Sequence, residues 1–291
     1  MSKKLKVLMI AAHPDDNDFR CGGTALKYIA AGHDVRFLSV CDGSGGHQTM
    51  TSEEVRDRRR GETLKVQELT GITYDVWDIP DCEVMADLET RKRLIRYIRN
   101  YNPDLIITHR NNDYHADHRN VALLVQDASY LLIVPLCCPD TPAMKETPVI
   151  MYSYDGFKNP SFYADVVVAT DDVIEKKYQM FDCHVSQVYE WLPFTEGGLD
   201  EVPENPAERL EWLRSPRIAR DRRPKPEDLI FPRVSNNPEA REARCVALFP
   251  ETVERRYGKE AAEHIVFGEG FMVCEYGAKL TPEKEAELFP F

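Results

Sequence analysis

Long apolar runs are missing from this chain of 291 residues. No stretch approaches the roughly 20 apolar residues that a membrane-spanning helix needs, so no membrane span is expected. Lys3, Lys4 and Lys6 precede an apolar segment, but Val7 to Ala12 is short for a secretory signal and runs straight into charged residues. It reads as a first strand. Positive charge is also scarce: 37 Lys and Arg stand against 49 Asp and Glu, a net charge of −12. That balance argues against a general nucleic-acid or anionic-membrane binder, which needs a basic face. None of the eight cysteines forms a CxxC pair. Most lie in apolar runs, which excludes a cysteine-based zinc site and favours buried, reduced thiols in a cytoplasmic protein. The glycine fingerprint of dinucleotide binding is absent too. Gly43-Ser44-Gly45-Gly46 lacks its last glycine and follows the second strand rather than the first.

What is present is alternation. Strand-like segments at Leu5–Ala12, Asp34–Cys41, Tyr74–Ile79, Asp104–Thr108, Val149–Tyr152 and Asp165–Ala169 are separated by helix-like ones. Those helices are expected over Gly23–Ala31, from Thr51 to near Gly71, over Leu88–Tyr101, from about Arg119 to Tyr130, and over Val173–Phe181. Thr51 followed by Glu54 predicts a capping box. The pattern implies an α/β fold, a Rossmann-like, mostly parallel, doubly wound sheet with helices on both faces. Residues 1–190 are expected to form the core. Residues 191–291 read as a C-terminal extension or lid, rich in Pro, Glu and Arg up to Pro250, returning a late strand over Ile265–Cys274.

Two clusters carry chemistry. His13-Pro14-Asp15-Asp16 follows the first strand, and His115-Ala116-Asp117-His118 follows the fourth. In a doubly wound sheet the first and fourth strands are neighbours at the switch in strand order, and ligands bind beyond their carboxyl ends. The two clusters then face one crevice. Asp15 and Asp16 could simply cap a helix, but the conjunction favours a metal site. Imidazole and carboxylate suit Zn²⁺ with an open position for water. His13, Asp16 and His118 are the expected metal ligands. Asp15 is the expected general base toward metal-bound water, and His115 the oxyanion stabiliser or general acid. Fe²⁺ or another divalent ion could replace zinc in such a set.

These segments carry a family resemblance. Ala12-His13-Pro14-Asp15-Asp16 with Cys21-Gly22-Gly23-Thr24 resembles the signature of the PIG-L/LmbE-like N-deacetylases. Thr108-His109 with Asn112-Asp113-Tyr114-His115-Ala116-Asp117-His118 is similar to that family's second motif, and Arg59 with Glu62 to a further element. The resemblance covers roughly residues 5–190. It implies zinc-dependent removal of an N-acetyl group from an N-acetylglucosamine-type sugar or glycoconjugate. It implies the same ligands, base and acid, and it turns Arg59 toward the crevice as a substrate-binding residue. Asp113 is expected to orient His115 or hold a substrate hydroxyl. Asn17-Asp18 departs from the family, which often has Glu there. Two rival readings are a metallohydrolase of another amide or ester, and a non-catalytic metal- or carbohydrate-binding protein. The expected partner is a small amino-sugar molecule.

Overall fold

In the computed structural model, which describes residues 3–215, 217–229 and 237–291, the alternation folds into one seven-stranded sheet. The strands are β1 (Lys6–Ala11), β2 (Asp34–Cys41), β3 (Thr73–Ile79), β4 (Leu105–Thr108), β5 (Val149–Ser153), β6 (Val166–Ala169) and β7 (Gly268–Val273). Their order is β3-β2-β1-β4-β5-β7-β6. β1 to β5 run parallel, and β7 is antiparallel to both of its neighbours.

Both faces of this sheet are covered, so its central strands β1, β4 and β5 are buried at nearly every position rather than at alternate ones. Period two then sorts the side chains between two cores. Leu5, Val7 and Met9 pack with Ala25 and Tyr28 of α1 (Asp16–Ala30) and Val66 of α2 (Ser52–Thr70). Leu8 and Ile10 pack on the other face with Leu94 and Ile98 of α3 (Leu88–Tyr101) and Val121 and Leu124 of α4 (Ala116–Leu131). The Thr51–Glu54 capping box opens α2, and Gly71 closes it at φ 77°.

α1 begins seven residues before the expected start at Gly23. The helix breaks at Cys21 (φ −147°, ψ 17°), and Gly22-Gly23 lowers helix propensity there, which hides the first turn from a pattern search. The break frees backbone donors. The Glu269 carboxylate on β7 accepts Gly23 N at 2.8 Å and Thr24 N at 2.7 Å.

After α5 (Ile174–Cys183), α6 (Leu192–Thr195) and α7 (Pro206–Leu213), α8 (Pro238–Leu248) packs against β7. Its Ala243, Val246 and Ala247 are buried, so this stretch adds more core than its Pro-, Glu- and Arg-rich composition suggests. Close approach requires glycine on the strand: a Cβ at Gly270 would lie 2.6 Å from Cys245 Sγ.

β1 and β4 pair from Val7–Leu105 to Ile10–Thr108, so they end side by side. The chain leaves β1 into α1 on one face and β4 into α4 on the other. The crevice that opens where they part is the switch point of the fold.

Candidate active site

The turn after β1 is held in place by its own backbone. His13 O accepts Asp15 N at 2.9 Å, and Asp16 Oδ2 accepts His13 N at 2.8 Å. Asp15 occupies the N-cap position of α1 yet makes no capping hydrogen bond. Its carboxylate instead meets Arg59 Nη2 at 3.0 Å. The capping alternative therefore fails for Asp15.

Three acceptor atoms converge. His13 Nδ1 lies 3.1 Å from Asp16 Oδ2 and 3.1 Å from His118 Nε2, and Asp16 Oδ2 lies 3.2 Å from His118 Nε2. The three residues are buried. A tetrahedral ion with bonds of about 2.1 Å holds its ligand atoms roughly 3.4 Å apart, so this near-equilateral triangle fits a divalent ion. The far nitrogen of each imidazole meets a carboxylate. His13 Nε2 is 3.1 Å from Asp81 Oδ1 and 3.5 Å from Asp117 Oδ2, and His118 Nδ1 is 2.9 Å from Asp113 Oδ1. Such partners fix ring orientation and raise ligand basicity.

The field at the triangle favours positive charge. Burial opposes the charged form of His13, but the Cys41 sulfur and the carboxylates of Asp117, Asp16 and Asp81 raise its pKa well above the usual value. Burial likewise opposes protonation of His118, and Asp16 and Asp113 outweigh it. His109 differs. Burial and the His118 charge push it down to about 3. Its Nε2 accepts Ala12 N at 3.0 Å, and its ring stacks on His118 at 4.2 Å. A neutral His109 thus braces His118, and its Nε2 lone pair is already used.

His115 caps α4 by accepting Asp117 N on Nδ1 at 3.2 Å. That bond leaves the proton of the neutral ring on Nε2. Burial and the neighbouring His13 and His118 lower its pKa. For Asp15, burial raises the pKa and Arg59 opposes the rise. His13, Asp15, Asp16, His115, His118 and Arg59 all line one cavity of about 280 Å³.

Two residues take places the sequence did not specify. Arg59 is buried under the 43–46 loop, with Nη1 bonded to Gly43 O at 3.1 Å. Gly43 sits at φ 71°, which favours glycine, and a Cβ there would lie 2.6 Å from that guanidinium. Asp113 turns to His118 and to Arg20 Nη2 at 3.1 Å, and it accepts His115 N at 3.0 Å. It does not line the cavity.

Asp81, Arg20 and Arg241 were missed by sequence reasoning. Asp81 follows β3 in an ordinary Pro-Asp turn, Arg20 lies within α1, and Arg241 comes from the C-terminal stretch. Only the strand order, which sets β3, β1 and β4 close together, could have pointed to Asp81.

Residues 8–129 match the family described as PIG-L: GlcNAc-PI de-N-acetylase. The motifs that carry the resemblance thus lie inside a family match that spans residues 8–129. It is 25% identical over 200 residues to a 4-oxalmesaconate hydratase of Pseudomonas putida, covering 66% of this chain and 78% of the relative. It is 28% identical over 206 residues to a diacetylchitobiose deacetylase of Thermococcus kodakarensis, covering 65% of this chain and 74% of the relative. The fold is shared with a solved 4-carboxy-2-hydroxymuconate hydratase of Pseudomonas putida at a TM-score of 0.66 and 20% identity, over 96% of this chain and 98% of that one. The proteins similar to this chain thus include both a deacetylase and a hydratase.

Proposed function

We propose that this protein is a metal-dependent hydrolase that removes an N-acetyl group from a small amino-sugar substrate. The observation that carries the reading is the convergence of His13 Nδ1, Asp16 Oδ2 and His118 Nε2 within 3.2 Å, each imidazole backed by a carboxylate. Their donor chemistry suits Zn²⁺ and also Fe²⁺. A bound ion would supply Lewis acidity toward the acyl carbonyl and would acidify water.

The remaining steps belong to the chain. Asp15, raised by burial yet tethered by Arg59, takes the proton from the attacking water as its oxygen bonds the acyl carbon. The His115 Nε2–H donates to the carbonyl oxygen as negative charge develops there. The proton held by Asp15 then passes to the nitrogen as the C–N bond breaks, so the free amine leaves and acetate remains. Arg59 acts here by positioning Asp15, and Asp113 by orienting His118.

Support also comes from the deacetylase relative at 28% identity. Acetate-release screening of N-acetylglucosamine conjugates with metal-loaded protein tests the reading, with Asp15→Asn as control. Full activity in that variant would sink the base assignment. A second reading, addition of water across a carbon–carbon double bond of an unsaturated acid, is favoured by the hydratase relative. The same base and water serve it, and product analysis separates the two: hydration adds water and releases no amine. Eight unpaired thiols suit a reducing, cytoplasmic setting. Among the described residues, no helix is long and apolar enough to cross a membrane.

A further inference from the structure

Beside the cavity of the His13–Asp16–His118 cluster lies a second one, lined by Arg20, Arg241 and Arg244 against a single acid among the described residues, Asp155. Arg241 and Arg244 lie three residues apart on α8 and share one face of that helix. Arg241 lines the cavity of the metal cluster, and both arginines line a second cavity of about 270 Å³. Arg20, Tyr114 and Arg241 belong to both cavities, so the two share a wall.

The carboxylates nearby are spent. Asp155 is the sole acid lining the second cavity among the described residues, and Arg110 holds it through two bonds, Nε to Oδ2 at 2.7 Å and Nη2 to Oδ1 at 2.5 Å. Arg20 is paired with Asp113. Among the described residues, neither Arg241 nor Arg244 has a carboxylate within ion-pair distance or a side-chain hydrogen bond. Burial and the charge of Arg20 pull Arg241 down to about 10. Both side chains are partly buried, and two guanidiniums without an acidic partner are costly to hold side by side, here in a chain of net charge −12. A low-dielectric cleft lined by one sign of charge concentrates ligands of the other sign.

We propose that the shared wall binds an anionic group of the substrate, a carboxylate or a phosphate, between Arg241 and Arg244. The reacting bond is then held at the His13–Asp16–His118 cluster. The substrate class follows as an acid-bearing small molecule rather than a neutral sugar. That assignment of substrate rests on the reactive-centre reading above, whereas anion binding stands on the two arginines. Guanidinium pairs suit both anions because their planar forks accept bidentate geometry.

Calorimetric titration of the full chain with matched probes tests the inference. Glutarate is compared with glutaramide, and glycerol 3-phosphate with glycerol. The expected result is at least about tenfold tighter binding of one anion over its neutral match. That preference should vanish in the Arg241→Gln/Arg244→Gln double variant and partly return in Arg241→Lys. The pair that shows the arginine-dependent preference tells carboxylate from phosphate. Two outcomes overturn the proposal: no preference in either pair, or a preference that survives in the double variant, as coordination to a bound ion would. Folding is controlled by the thermal midpoint, which should hold or rise because the removed charges have no partner. Asp15→Asn should keep the anion preference while losing turnover. Failure of the hydrolase reading and failure of anion binding are thereby told apart.

Discussion

Two clusters of buried ionisable groups touch the same helix, α1, and they are built on opposite plans. Near Gly23 and Thr24, Lys177 Nζ meets Glu242 at 2.5 Å, Glu269 at 2.6 Å and Phe19 O at 3.3 Å. Glu269 takes two backbone donors, and Thr170 donates its hydroxyl to Glu242. Every proton of the ammonium has an acceptor, and every carboxylate oxygen has a donor. At the first turn of α1 the arrangement is reversed. His13, Asp16 and His118 aim acceptors at one point, and Asp81, Asp113 and Asp117 add negative charge behind them. A closed network stabilises a joint between α1, α5, α8 and β7. An open one, with lone pairs facing lone pairs beside a cavity, is organised for something that arrives from outside.

The largest effect should separate the two clusters by activity. Asp15→Asn is expected to lower turnover by about 10²–10⁴-fold while metal content, measured by elemental analysis of the purified protein, stays at the wild-type level. Equal loss of metal and turnover would move Asp15 from proton transfer to ion binding.

Stability should separate them in the opposite sense. Lys177→Met leaves Glu242 and Glu269 facing each other without a cation, and urea unfolding should show a loss of about 3–5 kcal/mol. His13→Ala in metal-free protein should cost no more than about 1–2 kcal/mol, because the cavity that His13 lines lets water reach the Asp16 and Asp81 carboxylates it leaves. It should nevertheless abolish stoichiometric metal binding. If His13→Ala proved the more destabilising of the two, the distinction between a structural and a functional cluster would collapse.

Much of the open cluster was legible in the sequence, and almost none of the closed one. Local spacing places His13 and Asp16 on one turn, and parallel alternation places β1 beside β4, so the triangle and Asp15 follow from pattern plus one topological rule. Lys177, Glu242 and Glu269 lie far apart on α5, α8 and β7, and no short motif announces a partnership across 92 positions. The insertion of β7 between β5 and β6 is equally non-local, since antiparallel pairing with Val166–Ala169 leaves no local periodic signal. Arg241 was invisible for the same reason: its meaning comes from α8 leaning on Gly268 and Gly270, which brings that helix against the crevice beyond β1 and β4.

The carboxylates behind the ligands give the next effect. Asp113 touches His118 Nδ1 and sits outside the cavity. Asp113→Asn should weaken metal affinity by about 10–100-fold, read by competition with a chelator. Unaltered affinity would show that Arg20 and His109 suffice to hold the His118 ring.

The smallest effect concerns pH and the closed network. Burial raises Glu242 to about 7, with Lys177 opposing the rise and Glu269 adding to it. The folded state therefore holds a proton that the unfolded chain, with an ordinary glutamate near 4.5, gives up. Stability from this proton is fully present below about pH 4.5 and is lost as pH rises through about 7. Glu242→Gln keeps a neutral side chain at every pH. Relative to that variant, the wild type should lose roughly 2 kcal/mol of unfolding free energy between pH 5 and 8. The two chains should run parallel if Lys177 instead keeps Glu242 charged throughout. In that case the joint would be a conventional ion pair, and its contrast with the His13–Asp16–His118 cluster would rest on geometry alone.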